Sequence, residues 1–154
     1  MTNILLKNVD LVTVDPESGI IRNGYLAIRD GRIQELGSME QLDESRFLSY
    51  RVITGNSYGK RLVALPGFVQ THVHTSQALG RGLADDVDLI TWTRKRIWPY
   101  EATLTEEDVY VSALLSSAEM LRSGTTTFCE ASGEHPDAIA QAVIDTGLRG
   151  TVCL

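Results

Sequence analysis

The chain has 154 residues, 43% of them apolar and 22% charged, enough apolar material for a packed globular core and too much for wholesale disorder. Its 14 basic and 20 acidic side chains give a net charge of -6, which offers no electrostatic footprint for nucleic acid or an anionic membrane; small neutral or cationic ligands suit it better. No apolar stretch approaches the roughly 20 residues that cross a bilayer, and with only Cys129 and Cys153, both in apolar runs, and no basic-then-apolar leader, the chain is expected in the cytoplasm with reduced thiols.

From Ile4 to Val14 the apolar residues are spaced as in short strands, and Asp15-Pro16-Glu17-Ser18-Gly19 closes the run because these turn formers cannot continue a ladder. Gly24 to Leu36 alternates around Asp30-Gly31, a pair that tolerates the positive φ angles of a tight type I′ hairpin, so Tyr25–Ile28 should pair with Ile33–Leu36. Between Ser38 and Lys60 the sequence turns polar, with Gly55, Asn56, Ser57 and Gly59 close together, and reads as a surface excursion that holds a short strand over Val52–Thr54. Leu62 to Leu65 forms the next strand, and Pro66-Gly67 separates it from Phe68–His74; a domain boundary is expected near Leu65.

Leu89 to Ile97 reads as a helix that Pro99 must end. Thr105 caps the next helix, whose first turn carries Glu106, Glu107 and Asp108 at the positive helix end and whose expected buried face is Val109, Ala113, Leu114, Ala118 and Leu121. That helix runs to about Arg122, Ser123-Gly124 stops it, and the β-branched run Thr125–Cys129 comes next as a strand. Pro136–Thr146 is a third helix closed by Gly147, and Arg149–Leu154 begins another strand. Strand, helix, strand, helix, strand is the order of parallel βα units. Three parallel strands cannot close a barrel and leave an unpaired edge at Leu154, so a downstream continuation is expected.

The chemistry-bearing motif is His72-Val73-His74. Side chains alternate along a strand, so the two imidazoles project from one face while Val73 points away, and neutral imidazole is a good ligand for zinc or ferrous iron. Taken alone, two histidines at this spacing also fit plain surface or core positions.

Three stretches in order resemble the signposts of the amidohydrolase superfamily: Asp30-Gly31-Arg32-Ile33 with Gly37, Leu65-Pro66-Gly67-Phe68-Val69-Gln70-Thr71-His72-Val73-His74, and Ser123-Gly124-Thr125-Thr126-Thr127. The resemblance implies an α/β fold, namely a partial metal-dependent (β/α)8 barrel, with residues 65–154 supplying its first three strands and intervening helices, preceded by part of a small β-sandwich domain in residues 1–64. It also implies that His72 and His74 are the first two ligands of Zn2+ or Fe2+. Arg81-Gly82, Asp85 or Asp86, Trp92, Pro99 and Glu101, with Leu104-Thr105 behind them, resemble the segment after the first strand in 5-methylthioadenosine/S-adenosylhomocysteine deaminases. By that resemblance Glu101 binds ribose hydroxyls and Trp92 lines the substrate pocket. A carboxylate can accept two hydrogen bonds from a vicinal diol, although Glu101 also suits a structural place near the Thr105 helix and Trp92 suits simple packing. Gln77 departs from this branch and is similar to triazine hydrolases and other heterocycle deaminases at that place, which adds it to the candidate substrate-binding residues.

The reaction implied is metal-assisted hydrolytic deamination of an aminated purine nucleoside or related heterocycle, with triazine-type amino- or chlorohydrolysis as the alternative. The partner is a small heterocyclic molecule rather than nucleic acid or membrane, and the family leaves open a homo-oligomeric full-length form. A catalytic zinc holds three protein ligands plus water, whereas this chain supplies two, and the resemblance puts the later histidines, the catalytic glutamate and the aspartate beyond Leu154. No catalytic residue is expected within the chain, which is read as an inactive fragment of a longer enzyme or, alternatively, as a catalytically empty remnant. Glu130, at the end of the second barrel strand, is expected to be a solvated or capping acid rather than to face the barrel mouth, and His135 to lead into the third helix.

Overall fold

The computed structural model describes residues 3–55, 62–131 and 133–153, and the chain divides into two compact units, Met1–Pro66 and Gly67–Leu154. In the first unit, β1 (Ile4–Val12) pairs antiparallel with β2 (Ile20–Arg29), which pairs antiparallel with β3 (Arg32–Ser38). β4 (Arg51–Thr54) and β5 (Val63–Ala64) both run parallel to β1, giving a five-stranded mixed sheet. The hairpin has the expected turn: Asp30 and Gly31 both take positive φ, 50° and 76°, and Arg29 lies opposite Arg32. Register shifts between Ala27 and Ile28, so that Gln34 is the extra residue of a bulge.

The polar stretch after Ser38 is less superficial than its composition suggests. Two 3-10 turns, Met39–Gln41 and Glu44–Phe47, bring Phe47 into the core with Leu5, Tyr25 and Ala27, where it is 2% exposed. The Phe47 ring sits edge-on to Tyr50 at 5.2 Å, and the Arg46 guanidinium lies over it at 5.4 Å while bonding Glu35. Scattered aromatic residues in a polar run give no periodicity, so the burial of Phe47 is a tertiary outcome. The residues Asn56 to Lys60 of that excursion lie outside the described residues.

In the second unit, β6 (Phe68–Val73), β7 (Thr125–Glu130) and β8 (Arg149–Thr151) form a parallel sheet in chain order. Leu154, the last residue expected in that strand, is outside the described residues. Helices α3 (Glu106–Ser123) and α4 (Pro136–Thr146) make the two crossovers. They pack on each other through Val109, Ala113, Ala138, Ile139 and Ala142, while Met120, Phe128 and Leu148 form a second cluster between helix and sheet. Among the described residues no helix is long and apolar enough to cross a membrane.

Two expectations need correction here. Pro99 does not end a helix: α1 (Leu89–Trp92) and α2 (Trp98–Glu101) are joined by one π turn, Thr93–Ile97, and Pro99 sits in the first turn of α2. The Trp98 N–H bonds back to the Thr93 carbonyl, a longer reach than an α-helix makes, and this register change falls where proline has no N–H to give. The buried face of α3 is also rotated. Val109 and Ala113 are buried as expected and Leu114 is half-buried, but Ala118 and Leu121 are exposed, and the face is completed by Ser112, Ser116, Ser117 and Met120.

Helix α3 starts in a reciprocal cap. The Thr105 hydroxyl accepts from the Asp108 N–H at 3.2 Å, and the Asp108 carboxylate accepts from the Thr105 hydroxyl and N–H, at 2.6 and 2.9 Å. Those bonds, the hydroxyl's first, hold the Asp108 carboxyl below its usual range. A lowered acid contributes stability above its unfolded-state value and loses it as pH falls through the lowered folded value. Thr105→Ala is therefore expected to reduce unfolding free energy by about 1 kcal/mol at neutral pH. Urea titrations should show the gap from wild type narrowing in acid; a gap independent of pH would show that the hydroxyl acts on the helix N–H alone.

Candidate metal and substrate site

β6 ends at Val73, and the backbone turns at His74 (φ -115°, ψ 89°) into a 3-10 segment, Thr75–Gly80. The rings of His72 and His74 face each other edge to plane, 79° apart in orientation, with centroids separated by 5.1 Å. Two imidazoles on one tetrahedral zinc, with Zn–N of about 2.0 to 2.1 Å, place their centroids roughly 5 Å apart, so the pair fits a shared ion. Among the described residues no group of three or more histidine, cysteine or acidic side chains gathers to hold a metal, which leaves the donor set at two imidazoles.

The 3-10 segment carries Gln77 to Glu101, where the Gln77 amide donates to the Glu101 carboxylate at 2.8 Å. Gly80 makes this approach possible: a Cβ there would stand 2.9 Å from a ring carbon of Tyr100, the neighbour of Glu101. Arg81, just beyond, bonds both carboxylate oxygens of Glu119 on α3 and pins the end of the turn to that helix. An open cavity of about 560 Å3 lies beside His74 and Gln77 and is bordered by Arg81 and Glu119. Trp92, half-buried at the end of α1, makes no hydrogen bond or ring stack with the two histidines, Gln77 or Glu101 among the described residues. Four of the five candidate residues thus fall into two pairs.

Glu130 is the main correction. It is not solvated but fully buried at the end of β7, and its carboxylate accepts from the N–H and hydroxyl of Thr75, the first residue of the 3-10 segment. Burial pushes its carboxyl above the ordinary range, against the lowering effect of the Thr75 hydrogen bonds. The Thr75 carbonyl in turn accepts from Ser112 and Ser116 of α3. A sequence signal for this network existed in the serines recurring along the inner face of α3, polar residues where an apolar stripe was expected. His135 occupies the N-cap position of α4 with a positive φ of 53°, and its ring Nε2 lies 3.1 Å from the Leu104 carbonyl.

Over 99% of its length the chain is 43% identical to a 5′-deoxyadenosine deaminase of Methanosarcina barkeri. Over 97% it is 40% identical to a 5-methylthioadenosine/S-adenosylhomocysteine deaminase of Halothermothrix orenii. A crystal structure of an adenosine deaminase from Xanthomonas campestris with bound zinc superposes on 98% of the chain with a TM-score of 0.77 and 27% identity. This chain spans about a third of the length of each: 33%, 34% and 33% respectively. Residues 63–153, more than half of the sequence and including both histidines, match the amidohydrolase family, and the chain belongs to that family.

Proposed function

We propose that the chain forms the N-terminal part of a metal-dependent hydrolase that removes the exocyclic amino group from a purine nucleoside of the 5′-deoxyadenosine or 5-methylthioadenosine kind. The observation that carries this reading is the likeness, along nearly the whole chain, to deaminases of those nucleosides, joined to a pair of imidazoles spaced for one ion. Residues 1–64 are read as part of a β-sandwich domain and residues 65–154 as the first three strands of a (β/α)8 barrel, with the histidines at the carboxyl end of the first barrel strand, where barrel active sites collect. A cytoplasmic setting is read from the sequence, which carries only Cys129 and Cys153, expected there as reduced thiols.

In this reading His72 and His74 hold zinc or, alternatively, ferrous iron. When bound, the ion supplies Lewis acidity to water and to the heterocycle undergoing hydrolysis. Glu101 accepts hydrogen bonds from the ribose hydroxyls. Its Gln77 partner occupies part of one carboxylate oxygen and fixes the orientation of the other, so that the diol meets a preset acceptor. Trp92 is assigned to the pocket wall on resemblance. Two imidazoles are one ligand short of a catalytic zinc site, so the 154-residue chain by itself is read as inactive.

Ammonia release from 5′-deoxyadenosine by the zinc-loaded polypeptide at the length of its relatives tests the assignment. His72→Ala should lower kcat/KM by more than about 100-fold, since loss of a ligand exceeds the roughly 10- to 100-fold cost of outer-shell changes. The 154-residue chain with added zinc should release none; turnover by it would overturn the two-ligand reading. A polypeptide of that length silent on nucleosides and active on substituted triazines would move the substrate class.

Glu101→Ala should cost about 1 to 3 kcal/mol, roughly 5- to 150-fold in kcat/KM, on nucleosides, and little on the free base, because only the ribose loses its acceptor. Equal losses on both substrates would make Glu101 a structural residue.

A further inference from the structure

Thr75 comes directly after His74 and has no exposed surface. Its N–H lies 3.2 and 3.0 Å from the two Glu130 carboxylate oxygens, and its hydroxyl lies 2.5 Å from one of them. Its carbonyl accepts from the Ser112 hydroxyl at 2.7 Å and more weakly from Ser116 at 3.4 Å. Each polar group of Thr75 is thus held by a buried partner, from β7 on one side and α3 on the other. Glu130 and Ser112 are 0% exposed and Ser116 8%.

An apolar contact here would close the gap between strand and helix without desolvating a carboxylate, which is costly to bury. What the polar network adds is direction, since hydrogen bonds fix orientation where packing fixes only distance. The Thr75 N–H belongs to the peptide plane that begins at His74, so its bond to Glu130 sets ψ of His74. At 89°, that angle turns the chain out of the strand at the residue whose ring must meet His72.

We infer that Glu130 is a positioning residue which, with Ser112 and Ser116, locks Thr75 and thereby sets the angle from which His74 presents its imidazole to an ion shared with His72. The inference rests on the reading of the histidine pair as metal ligands.

The test compares zinc affinity, by chelator competition, and the visible spectrum of the cobalt-substituted protein across variants of the complete polypeptide, with the thermal midpoint of each metal-free protein as reference. Glu130→Gln and Thr75→Val should weaken zinc by about 10- to 100-fold and shift the cobalt bands. Thr75→Ser, which keeps the hydroxyl, should retain wild-type affinity and spectrum. Phe128→Leu, a core change on the same strand, should lower the midpoint and alter neither. Should Glu130→Gln not fold, Ser112→Ala removes the opposite side of the clamp and carries the same expectation. The inference is overturned if these variants lower only the midpoint, as Phe128→Leu does. A wild-type protein whose zinc affinity is unchanged by His72→Ala removes the metal reading itself, a separate failure that takes the inference with it.

Discussion

A carboxylate with no access to water must find its hydrogen bonds inside the protein, and Glu130 finds three of them, from the N–H and hydroxyl, on Thr75. That requirement ties the end of β7 to the turn after β6, while the serines of α3 hold the other side of the same residue. The turn, the helix face and the strand end therefore constrain one another. The rotated face of α3 goes with it: Ser112 and Ser116 point inward, where the Thr75 carbonyl accepts their hydroxyls, while Leu121 lies on the exterior at 47% exposure.

The same turn links the histidine pair to the candidate substrate residues. It begins at His74 and ends at Gly80, and between them Gln77 reaches Glu101. Glu101 lies at the end of a helical stretch that continues through Pro99 by way of a π turn, so the carboxylate is offered from an ordered helix rather than from a loop. π turns recur at functional sites because one extra residue re-aims the side chains of the next helical turn. A stop at Pro99 would have left Glu101 without that support.

Family membership and nucleoside chemistry rest on different supports. Membership comes from a match over most of the second unit. The choice among heterocycles depends on a few side chains, and here Gln77 and Glu101, which taken singly resemble different branches, turn out to be hydrogen-bonded partners. Function in such folds resides in the site and not in the scaffold.

The sequence determined what short-range physics controls: the Asp30-Gly31 hairpin, the Thr105 cap with Asp108, the close of α3 at Gly124, where φ is 87°, and the common face of His72 and His74. Each depends on residues a few positions apart, so its signal survives in a linear reading. Tertiary structure alone decided the burial of Phe47 in a polar run, the continuation of helix past Pro99, the meeting of Gln77 with Glu101 and the enclosure of Glu130. Thr75 and Glu130 are 55 positions apart, and nothing near Glu130 in the chain announces its partner. An isolated acid at a strand end is solvated by default; only the packing of α3 over the turn removes the water and makes Thr75 its substitute.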